Sequence, residues 1–512
     1  LKRVILITLF CFFITLKGLA QGYFNKRIDV ANKANVTYGM MNINDSLYLA
    51  SYIFETPIPN LSYSASVLKL DVNGNLLSAK RFKPLNINYT CPGGICYKNN
   101  KIYTSGTTDY GLQLQAGLYV FDKKCDTVLT KSFGDTSFYN YAQKIIPYTK
   151  TKDKILLIGV TDSTCGSGHQ GSYKPFIRVV DTSGTLFQTK LYLSDCKYRN
   201  INSVTTTKNK GYLISLGGTY GTWDTETRVL KLDSNLNLVW SKQINLTSSA
   251  EPEILNDNDN FYYINSTTID SVWNFTYKWE RACLIKMDTN GTILWQKNYG
   301  VKQITLGTTG LKKCINGDFI ISGARRTTSN ELQGFILRTD SLGNQKWWRE
   351  YRPNTTPVLD TVAENYLYDI IELPNGDIAA VGWAGQSSIS PLQQTWLLKV
   401  DSNGCFGAGG CNPNLATSIQ EISNENELIL NIYPNPFINN ITVSYTLSNS
   451  NKANVEIKLI ELASGRLIGE QTSTKNEDTI KFDTQNLSSG VYLVNVRNNG
   501  VSIRNSKVIN IK

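Results

Sequence analysis

The stretch LLKVDSNGCFGAGGC, residues 397–411, begins one arm of a β-hairpin and never finishes it. An alternating strand runs to Asp401 and a polar turn carries Gly404, but Gly, Ala and Cys follow where a returning strand belongs. Six complete versions lie upstream: VLKLDVNGNLLSAKRF from Val67, LYVFDKKCDTVLTKSF from Leu118, FIRVVDTSGTLFQTKLY from Phe176, RVLKLDSNLNLVWSKQI from Arg228, CLIKMDTNGTILWQKNYG from Cys283 and FILRTDSLGNQKWWREY from Phe335. The aligned aspartates are Asp71, Asp122, Asp181, Asp233, Asp288, Asp340 and Asp401, spaced 51 to 61 residues apart. Each motif reads as a hairpin. The carboxylate supplies an acceptor for turn N–H groups, Gly tolerates positive φ, and the second strand often carries Trp.

A second hairpin precedes each of these. Its regular strand is LYLASYIF from Leu47, KIYTSGT from Lys101, KILLIGVT from Lys154, GYLISLGG from Gly211, FYYINSTT from Phe261, DFIISGA from Asp318 or DIAAVGWA from Asp377, with a less regular strand just before. Four strands repeated seven times predict a seven-bladed β-propeller, whose twisted sheets bury their faces on one another. The seventh sheet lacks a fourth strand. The segment GYFNKRIDV from Gly22 resembles the fourth-strand sequence LWQKNYG and has no partner of its own. Residues 23–30 are therefore expected to complete the seventh sheet, which would protect an otherwise open strand edge.

Composition agrees with an all-β chain: charged residues are 18% of 512, hydrophobic residues 41%, and no long segment has helical periodicity. Lys2 and Arg3 ahead of the apolar run Val4 to Leu16, with Gly18 and Ala20 before Gln21, have the layout of a secretory signal peptide. No later stretch reaches the length of a membrane helix. Loss of Lys2, Arg3 and Lys17 with that leader takes the net charge from +11 to +8. The basic residues are scattered and no nucleic-acid motif accompanies them, so nucleic acid is not an expected partner.

In a four-stranded blade the short turns fall on one face and the longer connections on the other. The longer ones are rich in aromatics: TDYGLQLQAG from Thr108, DSTCGSGHQGSYKP from Asp162, TYGTWDTET from Thr219, TTIDSVWNFTYKWER from Thr267 and WAGQSSISPLQQ from Trp383. Tyr110, Tyr173, Tyr220, Trp223, Trp273, Tyr277, Trp279 and Trp383 are the candidate ligand-binding residues, either stacking on a sugar or peptide or packing the loops together.

Catalytic signals are weak. His169 is the single histidine, so imidazole-based triads and metal sites would rest on one residue of a Gly-rich loop. No P-loop, GxSxG, HExxH or dinucleotide fingerprint is present, and no cofactor or metal is expected. The Asp turns lack the remaining ligands of a calcium loop. They also resemble the repeats of quinoprotein-type propellers and their non-enzymatic scaffold relatives, but no quinone-binding residue carries over. An enzymatic alternative would use acidic residues such as Asp224, Glu226 and Glu280 on the rim; a third reading is a structural surface or adhesin component. Among nine cysteines after the leader, Cys165 with Cys196 and Cys405 with Cys411 are the candidate disulfides, as export permits.

From 406 to 427 the chain reads as a Gly-, Asn- and Ser-rich linker, and a new strand pattern follows. NIYPNPFINNITV from Asn431, IKLIELASGRLI from Ile457, LSSGVYLVNV from Leu487 and the terminal SKVINIK resemble the type A C-terminal sorting domain of type IX secretion substrates. Tyr433, Pro434, Asn435, Pro436, Gly465, Gly490, Tyr492 and Lys507 carry the likeness, while Glu461 stands where the family often has Asp. The resemblance implies a small Ig-like β-sandwich over 428–512, read by the type IX translocon after passage through the periplasm of a Gram-negative bacterium. It implies delivery to the cell surface or the medium. The expected organisation is a leader over 1–20, a propeller over 21–405, a linker over 406–427 and the sorting domain. The functional expectation is a non-catalytic module for an extracellular glycan or protein.

Overall fold

The computed structural model describes residues 22–56, 62–82, 89–109, 114–134, 137–163, 165, 173–198, 200–217, 227–244, 252–258, 260–273, 277–303, 305–326, 332–353, 364–385, 393–406, 420–422, 428–447, 454–462, 464, 466–498 and 501–512. All their regular structure is β. The expected leader lies outside them. Two compact units emerge, residues 1–27 with 34–418 and residues 28–33 with 419–512.

Six four-stranded sheets run in chain order over 35–82, 89–133, 140–191, 200–244, 254–303 and 305–351. The last sheet follows, in the order Asn365–Glu372, Ile378–Ala384, Gln394–Val400 and then the strand that begins at Phe24. The place beside 394–400 is thus taken by the N-terminal strand. It begins at Phe24 rather than at 23. Residues 420–422, inside the span expected as a linker, pair in parallel with 28–30.

The repeated aspartate builds the same turn seven times. In every copy its Oδ1 accepts the backbone N–H groups two and four residues on, at 2.7 to 2.9 Å. The fourth turn residue has positive φ, which Gly supplies at 74, 184, 291, 343 and 404. Cys125 and Leu236 hold that conformation in the other two copies, and both are fully buried, so apolar burial offsets the backbone cost there.

Each turn is also a seat for the fourth strand of the preceding sheet. The rings of Trp240, Trp295 and Trp347 lie against Gly291, Gly343 and Gly404 of the next turn. The indoles of Trp240 and Trp347 donate to Thr289 O and Ser402 O, both at 3.2 Å. Phe24 covers Gly74 in the same way: a Cβ added at Gly74 would lie 2.5 Å from its ring. The lysine two residues beyond repeats too, with Lys297 donating to Leu342 O at 2.7 Å and Lys26 to Asn73 O at 3.0 Å. The N-terminal strand therefore carries the aromatic-x-Lys signature of a fourth strand.

Apolar clusters join successive sheets. Ile158, Ile177, Ile201 and Ile214 knit the third to the fourth, and Ile336, Leu367, Ile370 and Leu398 the sixth to the last. The last abuts the first, where Asn35 N–H donates to Gln393 O at 2.9 Å and the Thr37 and Thr395 hydroxyls meet at 2.8 Å. Burying one such Ile or Leu contributes about 1.5–3 kcal/mol, so these seams carry the fold. In the C-terminal unit a three-stranded sheet over 428–433, 440–447 and 477–483 and a four-stranded sheet within 455–510 supply one core, including Val443, Tyr445, Ile457, Tyr492 and Val494. Strict alternation of buried and half-buried residues along Asn440–Leu447 fits a strand with one inward face.

Candidate functional site

The less regular first strand of each sheet has a structural cause. In six sheets its pairing with the second strand slips, between Thr37/Gly39, Pro92/Ile95, Ala142/Lys144, Ile201/Ser203, Thr308/Gly310 and Leu367/Asp369. A bulge leaves a residue unpaired and re-aims its side chain. Tyr38, Gly94, Gln143, Asn202, Thr309 and Tyr368, one from each slip, all line a single cavity of about 620 Å³, bounded by first-strand residues of six sheets and by Glu253, just ahead of the first strand of the remaining one.

Lys312 sits in its wall 3.3 Å from both Glu253 and Asp369. Burial alone would lower the Lys312 pKa, but the two carboxylates together raise it, so the ammonium stays charged. Each carboxylate also accepts a backbone N–H from the next sheet: Glu253 from Leu311 at 2.7 Å and Asp369 from Met40 at 2.9 Å. Gln143 does likewise for Ile201 N–H at 2.8 Å. Polar groups around the cavity thus tie neighbouring sheets together. Asn202 and Thr107 differ: each is only 6% exposed, lines the cavity and has no side-chain hydrogen-bond partner among the described residues. Thr107 is on a second strand, reached beside Gly94.

From the cavity a run of aromatic rings extends across the last and first sheets. Tyr38 meets Tyr368 at 4.6 Å between centroids, Tyr368 stacks on Tyr366 at 5.9 Å, and Tyr366 meets Trp383 at 4.9 Å. In the other direction Tyr38 stacks on Tyr52 at 5.7 Å, and Tyr52 meets Phe54 and Tyr63, both at 5.4 Å. These rings sit near strand ends that adjoin the longer connections, and all are half-buried. A smaller set, Tyr139, Tyr141 and Tyr173, stands on the third sheet, with Tyr141 in the cavity wall.

Of the sequence-derived candidates, Trp383 joins the aromatic run and Tyr173 the smaller set. Tyr110, Tyr220 and Trp223 lie outside the described residues, as do His169, Asp224 and Glu226. Trp273, Tyr277 and Trp279 are not on a loop: Phe261–Trp273 and Tyr277–Met287 form one long hairpin in which Trp273 pairs with Tyr277 and Ser271 with Trp279. The β-branched and aromatic residues there extend the ladder instead of ending it. The connection from Thr108 shortens for the same reason, its flanking strands running to Asp109 and from Leu114. Glu280 is 6% exposed on that long hairpin, which removes it from the rim. Tyr38, Tyr52, Tyr366 and Tyr368 escaped the sequence reading because they stand inside strands.

Cys165 and Cys196 form a disulfide with Cα atoms 5.7 Å apart. Cys405 is disulfide-bonded, while Cys411 lies outside the described residues. Cys96, Cys125, Cys283 and Cys314 are free and buried, and burial pushes their thiols up to about 12, which leaves no reactive thiolate among them. Among the described residues no group of three or more His, Cys, Asp or Glu is arranged to hold a metal ion, and no helix is long and apolar enough to cross a membrane. In the C-terminal unit Tyr433 is exposed, Asn435 accepts Ile509 N–H at 2.9 Å, and Tyr492 is buried, donating to Ser488 O at 2.8 Å. Leu493 pairs with Lys507, Gly490 pairs with Asn510, and Gly465 lies outside the described residues.

Residues 431–512 match the family described as a secretion system C-terminal sorting domain. No curated protein matches the chain in sequence. Similar solved structures include an α-L-arabinofuranosidase from Fusarium graminearum, 11% identical over 75% of this chain and 98% of that one with a TM-score of 0.40. The β-propeller domain of the Trilobed protease from Pyrococcus furiosus is 9% identical over 78% and 99% with a TM-score of 0.39, and a Synechocystis apocarotenoid oxygenase is 10% identical over 76% and 93% with a TM-score of 0.42. Likenesses this distant carry no chemistry to this chain. The sorting domain implies export through the type IX system, to the cell surface or the medium, from a Gram-negative bacterium.

Proposed function

We propose that this chain is an exported binding protein without catalytic activity: a seven-bladed β-propeller over 21–405, closed by its N-terminal strand, that engages an extracellular glycan. An Ig-like sandwich over 428–512 serves as its address. The observation that carries the reading is the run of half-buried rings from Trp383 through Tyr366, Tyr368 and Tyr38 to Tyr52. Aromatic faces with hydroxyl and amide groups beside them suit pyranose rings, which present apolar faces and a polar edge. The cavity-lining carboxylates Glu253 and Asp369 are both committed to Lys312 and to backbone N–H groups, which disfavours them as a free acid and base. Tyr173, Trp273, Tyr277, Trp279, Tyr110, Tyr220 and Trp223 are the further contacts proposed for the same ligand.

The test is a glycan array with the full exported chain, followed by titration of a hit against Tyr366→Ala and Tyr38→Ala. Each loss of a stacked ring contributes about 0.5–1.5 kcal/mol, so affinity should fall roughly 2- to 13-fold per substitution. Affinity unchanged in both variants would remove the aromatic run from the site.

A further inference from the structure

We propose, resting on the glycan reading above, that the axial cavity is a terminal subsite that takes the neutral sugar unit at one end of the bound chain. Tyr38 and Tyr368 belong both to the aromatic run and to the cavity wall, so a chain lying along the run is led to the axis rather than past it. At the axis the groups on offer are those that recognise a polyol. Asn202 and Thr107 are more than nine-tenths buried, line the cavity and have no partner for their side chains among the described residues. Neither the amide nor the hydroxyl is sealed from the cavity, so a ligand hydroxyl that enters it can pair with them directly.

Charge selects among sugars. The charged residues of the lining are Lys144, Lys312, Glu253 and Asp369, two of each sign, and Lys312 lies between the two carboxylates. No net charge is left to attract a uronate or sulfated unit, and placing an anion beside those carboxylates would be unfavourable. A volume of about 620 Å³ accommodates a terminal unit with part of the next, within the range of small-molecule pockets. The bulges are what make this subsite: without them the same residues would stay in the ladder of their own sheet.

The experiment uses the full exported chain, with neutral hexasaccharides of glucose, mannose, xylose and arabinose, each also with its reducing end reduced or its non-reducing unit methylated, and a hexauronate for comparison. Asn202→Leu removes the amide at similar volume and breaks no hydrogen bond, so the melting temperature should stay equal or rise. Affinity for a neutral hexasaccharide should fall at least tenfold in Asn202→Leu, and equally when one particular end is blocked, while Tyr366→Ala weakens blocked and unblocked chains alike. Binding that is cut by Tyr366→Ala but indifferent to Asn202→Leu and to both blocked ends overturns the subsite and leaves the glycan reading standing. Preference for the hexauronate overturns the neutral assignment. Failure of every oligosaccharide to bind overturns both.

Discussion

Replacing Asn25 by Ala should loosen the first unit out of proportion to its size. The Asn25 side chain is almost fully buried, accepts the indole N–H of Trp396 at 2.6 Å and donates to Arg352 O at 2.6 Å. Trp396 is itself 0% exposed, so Asn25→Ala leaves its N–H without an acceptor and without water. An orphaned buried donor costs about 1–3 kcal/mol. Trp396→Phe removes the donor but also some packing, and the double variant should cost less than the two single losses added together, by about 0.5–1.5 kcal/mol, because the lost bond is then counted once. Urea unfolding of the full chain, followed by Trp fluorescence, reads these differences as a lower midpoint with an unchanged slope. An Asn25→Ala midpoint equal to that of the parent would refute the claim that the N-terminal strand is locked into the last sheet.

Other consequences are as direct. Phe24→Ala should destabilise by about 3–5 kcal/mol, as for other buried rings, while Phe24→Trp should be tolerated, because Trp occupies the equivalent seat at three other turns; thermal melts decide. Cys165→Ser should lower stability under oxidising conditions by about 2–4 kcal/mol and bring no change once the parent is reduced. Asp181, Asp233, Asp288 and Asp340 have pKa values below the ordinary carboxylate value; at Asp233 and Asp288 the backbone N–H groups four residues on are the main cause, and at Asp181 and Asp340 turn hydrogen bonds outweigh a burial effect that acts the other way. Because the folded state holds the charged form more strongly, that stabilisation is present above about pH 4 and is lost as pH falls through the lower folded values, so unfolding midpoints should drop below pH 4 and less so in Asp→Asn variants. Lys312→Met should strand Glu253 and Asp369 in the cavity wall and cost about 1–3 kcal/mol, a figure between those for surface and buried pairs because Lys312 is partly exposed.

The parts of the fold legible in the sequence are those set by local chemistry. An Asp followed by polar residues and Gly makes its turn from its own side chain, and the aromatic-x-Lys pair of YFNK matches the fourth strands because each must sit on the next turn. The bulges were not legible. A slip in pairing is a property of two strands together, and residues as unlike as Tyr38, Gln143, Asn202 and Thr309 occupy it. The aromatic run was missed for a related reason: Tyr38, Tyr52, Tyr366 and Tyr368 look like ordinary strand residues until the ends of two sheets distant in sequence meet. The long hairpin at 261–287 shows the opposite error, a β-rich segment read as a loop because it exceeds the usual strand length.

The most direct test of the binding account is to incubate the full exported chain with whichever oligosaccharide the array identifies, measuring affinity and product formation on the same samples. Saturable binding that weakens in Tyr38→Ala and Tyr366→Ala, with the oligosaccharide recovered intact, is the predicted result. Cleaved product, or binding indifferent to both substitutions, would contradict it.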